Sequence, residues 1–318
     1  MRRRRRTVNL HGPALGAFSL GLLLAMHARG GEDAEQSCRA AIEAGDVDRW
    51  YGLGLLLARQ PGREGEAEQA YLSAIEVGDT RAWTDLGDLL ARQDGRWDDA
   101  EQAYRDGLEA GDTRGWVALG NLLYRQGDRE LEAEEAYRTA IERGYPGGWV
   151  GIGNLLAAKP GREAEAEQVY REALASGWIE TGDAGVLWRN LGNLLDRDET
   201  RRPEAEEAYR EAVQAGEDVA WHSLGWVLAR EPGREEEAEL AYRNAIDTGQ
   251  RWALPDLGHL LAGQQGRERD AEKVLREAIA LGYTSAWRQL GDLLVRQRGR
   301  AEEARQAYRE AGRGGPGT

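Results

Sequence analysis

The repeated unit of the chain is seen in WTDLGDLLARQDGRWDDAEQAYRDGLEAGD, residues 83–112. In its first half Trp83, Leu86 and Leu90 recur at i, i+3 and i+7 and so share one face of a helix. In its second half the apolar residues, Tyr104 among them, again follow a helical spacing. Pro-Gly separates the halves in other copies and favours a turn, and the closing Ala-Gly-Asp suits a helix C-cap. Each copy is therefore predicted to form a hairpin of two helices, A and B.

The pattern recurs along nearly the whole chain with a period of 33, which is the step from Trp50 to Trp83. An Ala follows each anchor residue at i+17, as Ala100 follows Trp83, and an aromatic residue lies four residues further on, replaced once by Leu275. Only the step from Trp149 to Trp188 is longer, at 39. The anchors that open the copies are Trp50, Trp83, Trp116, Trp149, Trp188, Trp221, Leu254 and Trp287.

A glycine follows a leucine, or once an isoleucine, in each A helix, as at Gly87 and Gly120, although glycine within a helix costs about 1 kcal/mol relative to alanine. Its recurrence predicts the close approach of a neighbouring helix. We expect the anchor tryptophans to lie in the core with the alanines and tyrosines of the B helices. Because one hairpin cannot bury both apolar faces alone, the sequence predicts an all-α, right-handed superhelical α-solenoid of about nine helix-turn-helix repeats.

The predicted organisation has five parts. They are a disordered basic N-terminal tail over 1–12, repeats 1–5 over 13–176, an insert or loop between two subarrays over 177–187, repeats 6–9 over 188–312, and a disordered tail over 313–318. Trp178 is expected at the tip of the insert.

The N-terminus permits two interpretations. MRRRRR followed by the uncharged PALGAFSLGLLLA is typical of a secretory signal. A step of one period back from Trp50 instead places Ala17 on the anchor position and Leu20 and Gly21 on the Leu-Gly pair. We therefore expect a folded first repeat and a cytoplasmic protein, with Met1 to Ala28 as a cleaved export signal as the alternative.

Composition argues against several classes of function. The net charge is −14, and residues 1–30 contain six arginines and no acidic residue, so the rest is strongly acidic. This argues against nucleic acid or an anionic membrane as the main partner, because phosphate binding requires a basic surface. The single cysteine, Cys38, excludes an internal disulfide and a cysteine-cluster metal site. No apolar run reaches the ~20 residues of a membrane span.

Nothing in the sequence predicts catalysis. The carboxylates lie at helix starts such as GREEEAEL, where they interact favourably with the helix dipole and with arginines at i+3 or i+4. The glycine-rich stretches follow no strand, which excludes a phosphate-binding loop. His222 and His259 are expected to face one groove, but two histidines are too few for a metal site. We expect no enzymatic activity, cofactor or metal.

The pattern Trp-x2-Leu-Gly-x2-Leu followed by Ala-x3-Tyr-x2-Ala resembles the tetratricopeptide repeat. The junction YRDGLEAGDTRGWVALG, residues 104–120, is more similar to the Sel1-like subfamily, although the period is 33 rather than 34. The resemblance implies a protein-interaction scaffold whose concave groove, lined by A helices, binds a peptide or partner protein. A clamp for a peptide carboxylate is poorly supported, because the positions where the family has lysine are occupied by Thr84, Val117, Val150 and Arg189.

The resemblance also implies where a partner lies: two residues before the anchor and one, five and eight residues after it. Asn121, Asn154 and Asn193 occupy the fifth position after the anchor, and their amides are expected either to bind a peptide backbone or to form hydrogen bonds between hairpins. Trp226 and Trp252 depart from the repeat and are candidate hot spots. The predicted groove residues are Arg81, Asp88, Arg114, Asn121, Tyr124, Asn154, Arg189, Asn193, His222, Trp226, Trp252, His259, Arg288 and Asp292.

Three functions fit these features. The first is a cytoplasmic adaptor for a protein or peptide, and the second is an exported scaffold in a bacterial envelope. The third is a regulatory subunit that docks a separately encoded enzyme such as a helicase, kinase or toxin. The chain ends in GRGGPGT without a capping helix after Tyr308, which makes end-to-end self-association an option.

Overall fold

The structure, a computed structural model, describes residues 30–177 and 181–313 and is all-helical over these residues, which confirms the predicted fold class. The α-helices, in chain order, are α1 Gly30–Glu43, α2 Arg49–Leu57, α3 Glu64–Glu76, α4 Arg81–Leu90, α5 Trp97–Glu109, α6 Gly115–Gln126, α7 Glu130–Glu142, α8 Gly147–Ala157, α9 Glu163–Ala175, α10 Thr181–Leu195, α11 Arg202–Gln214, α12 Ala220–Leu228, α13 Glu235–Asp247, α14 Leu254–Ala262, α15 Glu268–Ala280, α16 Ser285–Val295 and α17 Ala301–Arg313. Short 3-10 helices at Glu199–Arg201 and Arg251–Ala253 precede α11 and α14.

The chain divides into two compact units, Met1–Ala136 and Tyr137–Thr318, and the division falls within α7. In the first unit consecutive helices from α1 to α6 pack against one another, and in the second unit consecutive helices from α8 to α17 do the same. The even-numbered helices are A helices and the odd-numbered ones are B helices. This packing of consecutive helices is that of an α-solenoid built from hairpins.

The recurring glycine lies against the tyrosine of its own hairpin. A Cβ atom at Gly153 would lie 2.2 Å from Cε1 of Tyr170, and one at Gly54 would lie 2.6 Å from Cε1 of Tyr71. Both rings are almost fully buried. The predicted close approach is confirmed, and the B-helix tyrosine is the residue that requires it.

The anchor tryptophans are less buried than predicted. The seven of them are partly buried, whereas the leucines of the same helices, such as Leu86 and Leu90, are buried. Trp221 and Trp287 pack against the edge of the core of the second unit. Indole is too large to be enclosed easily between two helices, and the alanines, leucines and tyrosines fill the centre instead.

Glycines with positive φ lie in the turns within hairpins and at the ends of B helices, as expected. Gly62, after Pro61, has φ of +84°, and Gly78, at the end of α3, has φ of +92°. The Gly78 amide donates to the Ile75 carbonyl at 2.9 Å, and the Asp79 amide donates to the Ala74 carbonyl at 2.9 Å. This pair of bonds is a Schellman motif, which satisfies the last carbonyls of the helix.

Ion pairs link successive B helices. Arg63, just before α3, donates to Glu66 at 2.6 Å and also reaches back to Glu35 of α1 at 2.7 Å. Hydrogen bonding to Arg63 lowers the pKa of Glu35 to about 2. The predicted pairs of a carboxylate with a following arginine are present at i+4, as between Glu101 and Arg105, and the arginines that precede the B helices also connect neighbouring repeats. The pattern recurs at Arg96, Arg129, Arg201, Arg234, Arg267 and Arg300.

The predicted insert, 177–187, is helix rather than loop from Thr181 onward, because these residues form the first turns of α10. Close packing fixes this extension, since a Cβ atom at Gly185 would lie 2.8 Å from Cβ of Glu217. The insert lies within the second unit, whereas the chain divides at α7.

Several predictions lie outside the described residues: the tail over 1–12, the A helix of the first repeat, Trp178, and residues 314–318 of the C-terminal tail. None of the helices between residues 30 and 313 that the structure describes is long and apolar enough to cross a membrane.

Candidate partner-binding surface

The residue at the fifth position after the anchor is paired with the B-helix tyrosine of the same hairpin. The Tyr209 hydroxyl donates to Oδ1 of Asn193 at 2.8 Å, and the Tyr170 hydroxyl donates to Oδ1 of Asn154 at 2.8 Å. Asp88 and Asp292 accept in the same way from Tyr104 and Tyr308, at 2.7 Å each. The hydrogen bond therefore closes each of these four hairpins internally, a role that the sequence did not reveal.

The asparagines still present part of each side chain to the surface. Asn121, Asn154 and Asn193 are exposed. Oδ1 of Asn154 also accepts from Nδ2 of Asn190 at 2.8 Å, which joins two A helices of the second unit. Within the described residues Nδ2 of Asn193 has no hydrogen-bond partner, so this amide remains available as a donor to a ligand.

In the first unit the predicted groove arginines make ionic contacts within the repeat array. Arg114 donates to Asp112 at 2.9 Å and to Asp85 at 3.3 Å. Arg81 pairs with Asp79 at 2.6 Å, and its guanidinium lies 4.5 Å from the centroid of the Tyr51 ring. These arginines stabilise the contact between successive hairpins.

Tyr124 of α6 is 36 % exposed and lies on the surface of the first unit. It occupies the eighth position after its anchor, Trp116. An exposed ring on an A helix of this unit can contribute apolar contact area to a partner.

In the second unit the predicted residues have different environments. Arg189 donates to Glu217 at 3.0 Å, and Nε2 of His222 lies 2.8 Å from Oδ2 of Asp256. Arg288 is exposed and has no ion-pair partner among the described residues. Trp252 is 47 % exposed in the 3-10 helix that precedes α14.

Two of the predicted residues, Trp226 of α12 and His259 of α14, line one open cleft of about 710 Å³. We call it the Trp226 cleft. Trp226 is 47 % exposed, and Arg230 lies 5.7 Å from its ring centroid. The cleft brings these two residues together but includes neither Trp252 nor Arg288. Its lining residues are Trp226, Ala229, Arg230, Glu235, Glu236, Tyr242, Asp256, His259, Leu260, Gly263, Gln264 and Gln265.

Trp226 leaves a tyrosine without its usual partner. It occupies the fifth position after the anchor Trp221, where other repeats have Asn or Asp, and indole offers no acceptor to the hydroxyl of Tyr242. Tyr242 is 1 % exposed and lines the cleft, and within the described residues its hydroxyl makes no hydrogen bond. Burial and the charge of Asp256 raise the pKa of Tyr242, which keeps the hydroxyl protonated.

A similar substitution in the first unit has a smaller consequence. Leu55 takes the fifth position in α2, and the hydroxyl of Tyr71 likewise has no hydrogen-bond partner among the described residues. The cavity there measures about 190 Å³, and Arg59 and Arg92 are among its lining residues. In the repeat anchored by Leu254 both positions change together, because His259 takes the fifth position and Leu275 replaces the tyrosine of the same hairpin.

Sequence reasoning missed the other lining residues of the Trp226 cleft, among them Arg230, Glu235, Glu236, Tyr242 and Asp256. A signal for Tyr242 exists in the sequence, because the fifth position and the B-helix tyrosine of the same hairpin can be compared repeat by repeat. Within 30–177 and 181–313 no group of three or more His, Cys, Asp or Glu side chains is arranged to hold a metal ion.

Solved structures with this fold come from repeat proteins. The crystal structure of c5321, a protective antigen present in uropathogenic Escherichia coli strains and displaying an SLR fold, is similar with a TM-score of 0.55 at 18 % identity, over 92 % of this chain and 67 % of that chain. The Sel1 repeat protein from Oxalobacter formigenes gives a TM-score of 0.51 at 17 % identity, over 88 % and 86 % of the two chains. At these identities the likeness establishes the fold alone.

Sequence comparison gives the family. No curated protein matches the chain significantly. The model of the tetratricopeptide repeat matches residues 65–115, 117–178 and 260–317, together more than half of the chain. With this match, and with helix hairpins that recur at a regular period, the chain belongs to the tetratricopeptide-repeat family.

Proposed function

We propose that the protein is a non-catalytic scaffold that binds a peptide or a segment of a partner protein on its A helices, with the Trp226 cleft as the main contact of the second unit. Tetratricopeptide and Sel1-like repeat proteins are generally scaffolds for protein–protein interaction and typically lack catalysis. The assignment of the binding site to the Trp226 cleft rests on the surface of this chain.

The observation that carries the proposal is the replacement at Trp226. Hairpins of this repeat are closed by a hydrogen bond from a tyrosine to an Asn or Asp. In α12 the half-exposed indole of Trp226 replaces that acceptor, and the bond is absent. A large aromatic side chain that the hairpin does not require, placed at a cleft, is typical of a binding hot spot. The cleft volume, about 710 Å³, lies within the range of ligand sites.

The test is selection from a library of random peptides displayed on phage, with the full chain as bait. Trp226→Asn restores the residue that α6, α8 and α10 carry at this position and is expected to fold. Truncating a hot spot of at least ~2 kcal/mol lowers affinity about 30-fold, so peptides enriched by the wild type should be lost with this variant.

Leu240→Asn is the matched control. Leu240 is another large exposed apolar residue of the second unit, 60 % exposed on α13, and it does not line the cleft. This variant should retain the selected peptides. Failure of the wild type to enrich any peptide, or equal binding by Trp226→Asn, would contradict the proposal.

A further inference from the structure

We propose that the Trp226 cleft binds a cationic side chain, arginine in preference to lysine, from an extended segment of the partner. This inference rests on the proposed function and names the chemistry that the same cleft recognises.

The charges around the cleft favour a cation. Glu235, Glu236 and Asp256 line it. The single lining arginine, Arg230, is compensated from outside the cleft, because it lies 3.3 Å from Asp196 and 3.5 Å from Glu199. The surplus of carboxylates therefore attracts a positive group and repels an anionic one.

The three carboxylates of the cleft differ in whether they already have a partner within the protein. Oε1 of Glu235 accepts from the Gly233 amide at 3.1 Å, and Asp256 contacts His222. Glu236 is exposed and makes no hydrogen bond or ion pair within the described residues. It is consequently the carboxylate best placed to pair with a ligand.

The Tyr242 hydroxyl provides a second, independent indication of a ligand. Its side chain is 1 % exposed, yet the hydroxyl has no hydrogen-bond partner in the described residues and lies at the wall of the cleft. A hydroxyl oxygen accepts hydrogen bonds from a guanidinium, so an arginine side chain in the cleft can supply the missing partner. In Tyr209 and Tyr170 the equivalent group is satisfied within the hairpin.

The indole of Trp226 favours arginine over lysine. Arg230 lies 5.7 Å from the ring centroid, so a guanidinium already lies against this side chain. Cations are attracted to the face of an indole ring, and a guanidinium stacks better than an ammonium because it is planar and less strongly hydrated. The acidic chain, with a net charge of −14, also steers basic segments toward its surface.

The experiment uses four peptides, acetyl-Gly-Ser-Gly-X-Gly-Ser-Gly-amide, where X is arginine, lysine, citrulline or glutamate. Their dissociation constants for the full chain are measured by steady-state surface plasmon resonance, which reports even weak binding. The arginine peptide should bind most tightly, lysine several-fold more weakly, and citrulline at least tenfold more weakly, since citrulline keeps the shape of arginine and loses the charge. The glutamate peptide should not bind, and added salt should weaken the arginine complex.

Two variants locate the site. Glu236→Gln should lower the affinity for the arginine peptide by about 2- to 5-fold, which is the effect of one exposed ion pair. The control, Glu302→Gln, changes the residue at the same position of the last repeat, which lies outside the cleft, and should have no effect.

The outcomes separate the two proposals. Equal binding of the arginine and citrulline peptides, or no effect of Glu236→Gln, would overturn the inference. If the wild type instead selects peptides without basic residues and Trp226→Asn loses them, the cationic specificity is wrong and the binding function stands. If neither the library nor the arginine peptide binds, both proposals fail.

Discussion

Replacing Gly54 by alanine tests whether the tyrosine ring is the reason for the recurring glycine. A Cβ atom at residue 54 would lie 2.6 Å from both Cδ1 and Cε1 of Tyr71, well inside the 3.4–4 Å of ordinary van der Waals contact. Tyr71 is 2 % exposed, so a Cβ atom at residue 54 presses on a ring that is packed in the core. Gly52, in the same helix, has no atom within 4 Å of its would-be Cβ and is the natural control.

The two substitutions change the free energy of unfolding equally through helix preference, and they differ in packing against the Tyr71 ring. Alanine in a helix interior is favoured over glycine by about 1 kcal/mol at either position. Only Gly54→Ala adds overpacking against the ring, which costs about 1–3 kcal/mol. Gly52→Ala should therefore be more stable than the wild type, and the free energies of unfolding of the two variants should differ by about 1–3 kcal/mol, because the helix preference cancels.

Urea unfolding followed by far-ultraviolet circular dichroism gives the comparison, and hydrogen exchange of α2 peptides shows whether the change is local. If Gly54→Ala unfolds at the same urea concentration as Gly52→Ala, or at a higher one, the ring does not dictate the glycine and the account of hairpin packing is wrong.

Two further predictions follow from the contacts in the second unit. Tyr209→Phe removes the hydrogen bond to Asn193 and should lower the free energy of unfolding in urea by about 0.5–1.5 kcal/mol. Tyr242→Phe should leave the free energy of unfolding unchanged, because the hydroxyl of Tyr242 has no hydrogen-bond partner in the described residues. Equal losses of stability in the two variants would contradict the unpaired state of Tyr242. Hydrogen bonding to Arg201 lowers the pKa of Glu167 to about 2 from 4.5, so the stability that this carboxylate contributes is complete above pH 4.5 and is lost as the pH falls toward 2. The urea midpoint of Arg201→Gln should therefore fall less steeply over this pH range than that of the wild type, and parallel profiles would refute the assignment.

Periodicity predicted the hairpins, because a helix buries residues at fixed spacing and a copied pattern reports the same spacing many times. Leu86 and Leu90 of α4 are buried as predicted, and Gly54 and Gly153 do mark close contacts. The anchor tryptophans are predicted to lie in the core, but Trp221 is only partly buried and packs at the edge of the core. A spacing rule identifies the face of a helix but not how far a large side chain extends beyond the interface.

The contacts that define the candidate site were not predicted, because they depend on how two helices meet. Asn193 was interpreted as a groove residue, and its bond to Tyr209 appears only when α10 and α11 are placed side by side. The open hydroxyl of Tyr242 follows from the same geometry. Glu236 was assigned to a solvated helix start, and only the position of α13 brings it to the cleft.

The central claim is that Trp226 contacts the bound peptide. The indole resonances of the protein labelled with 15N-tryptophan test this claim most directly. The chain has 11 tryptophans, and the Trp226 signal is identified by its absence in Trp226→Asn. During titration with a selected peptide, the account predicts that the Trp226 signal shifts and that the signals of the partly buried anchors, such as Trp287, stay in place. Saturable binding that leaves the Trp226 signal unmoved would contradict it.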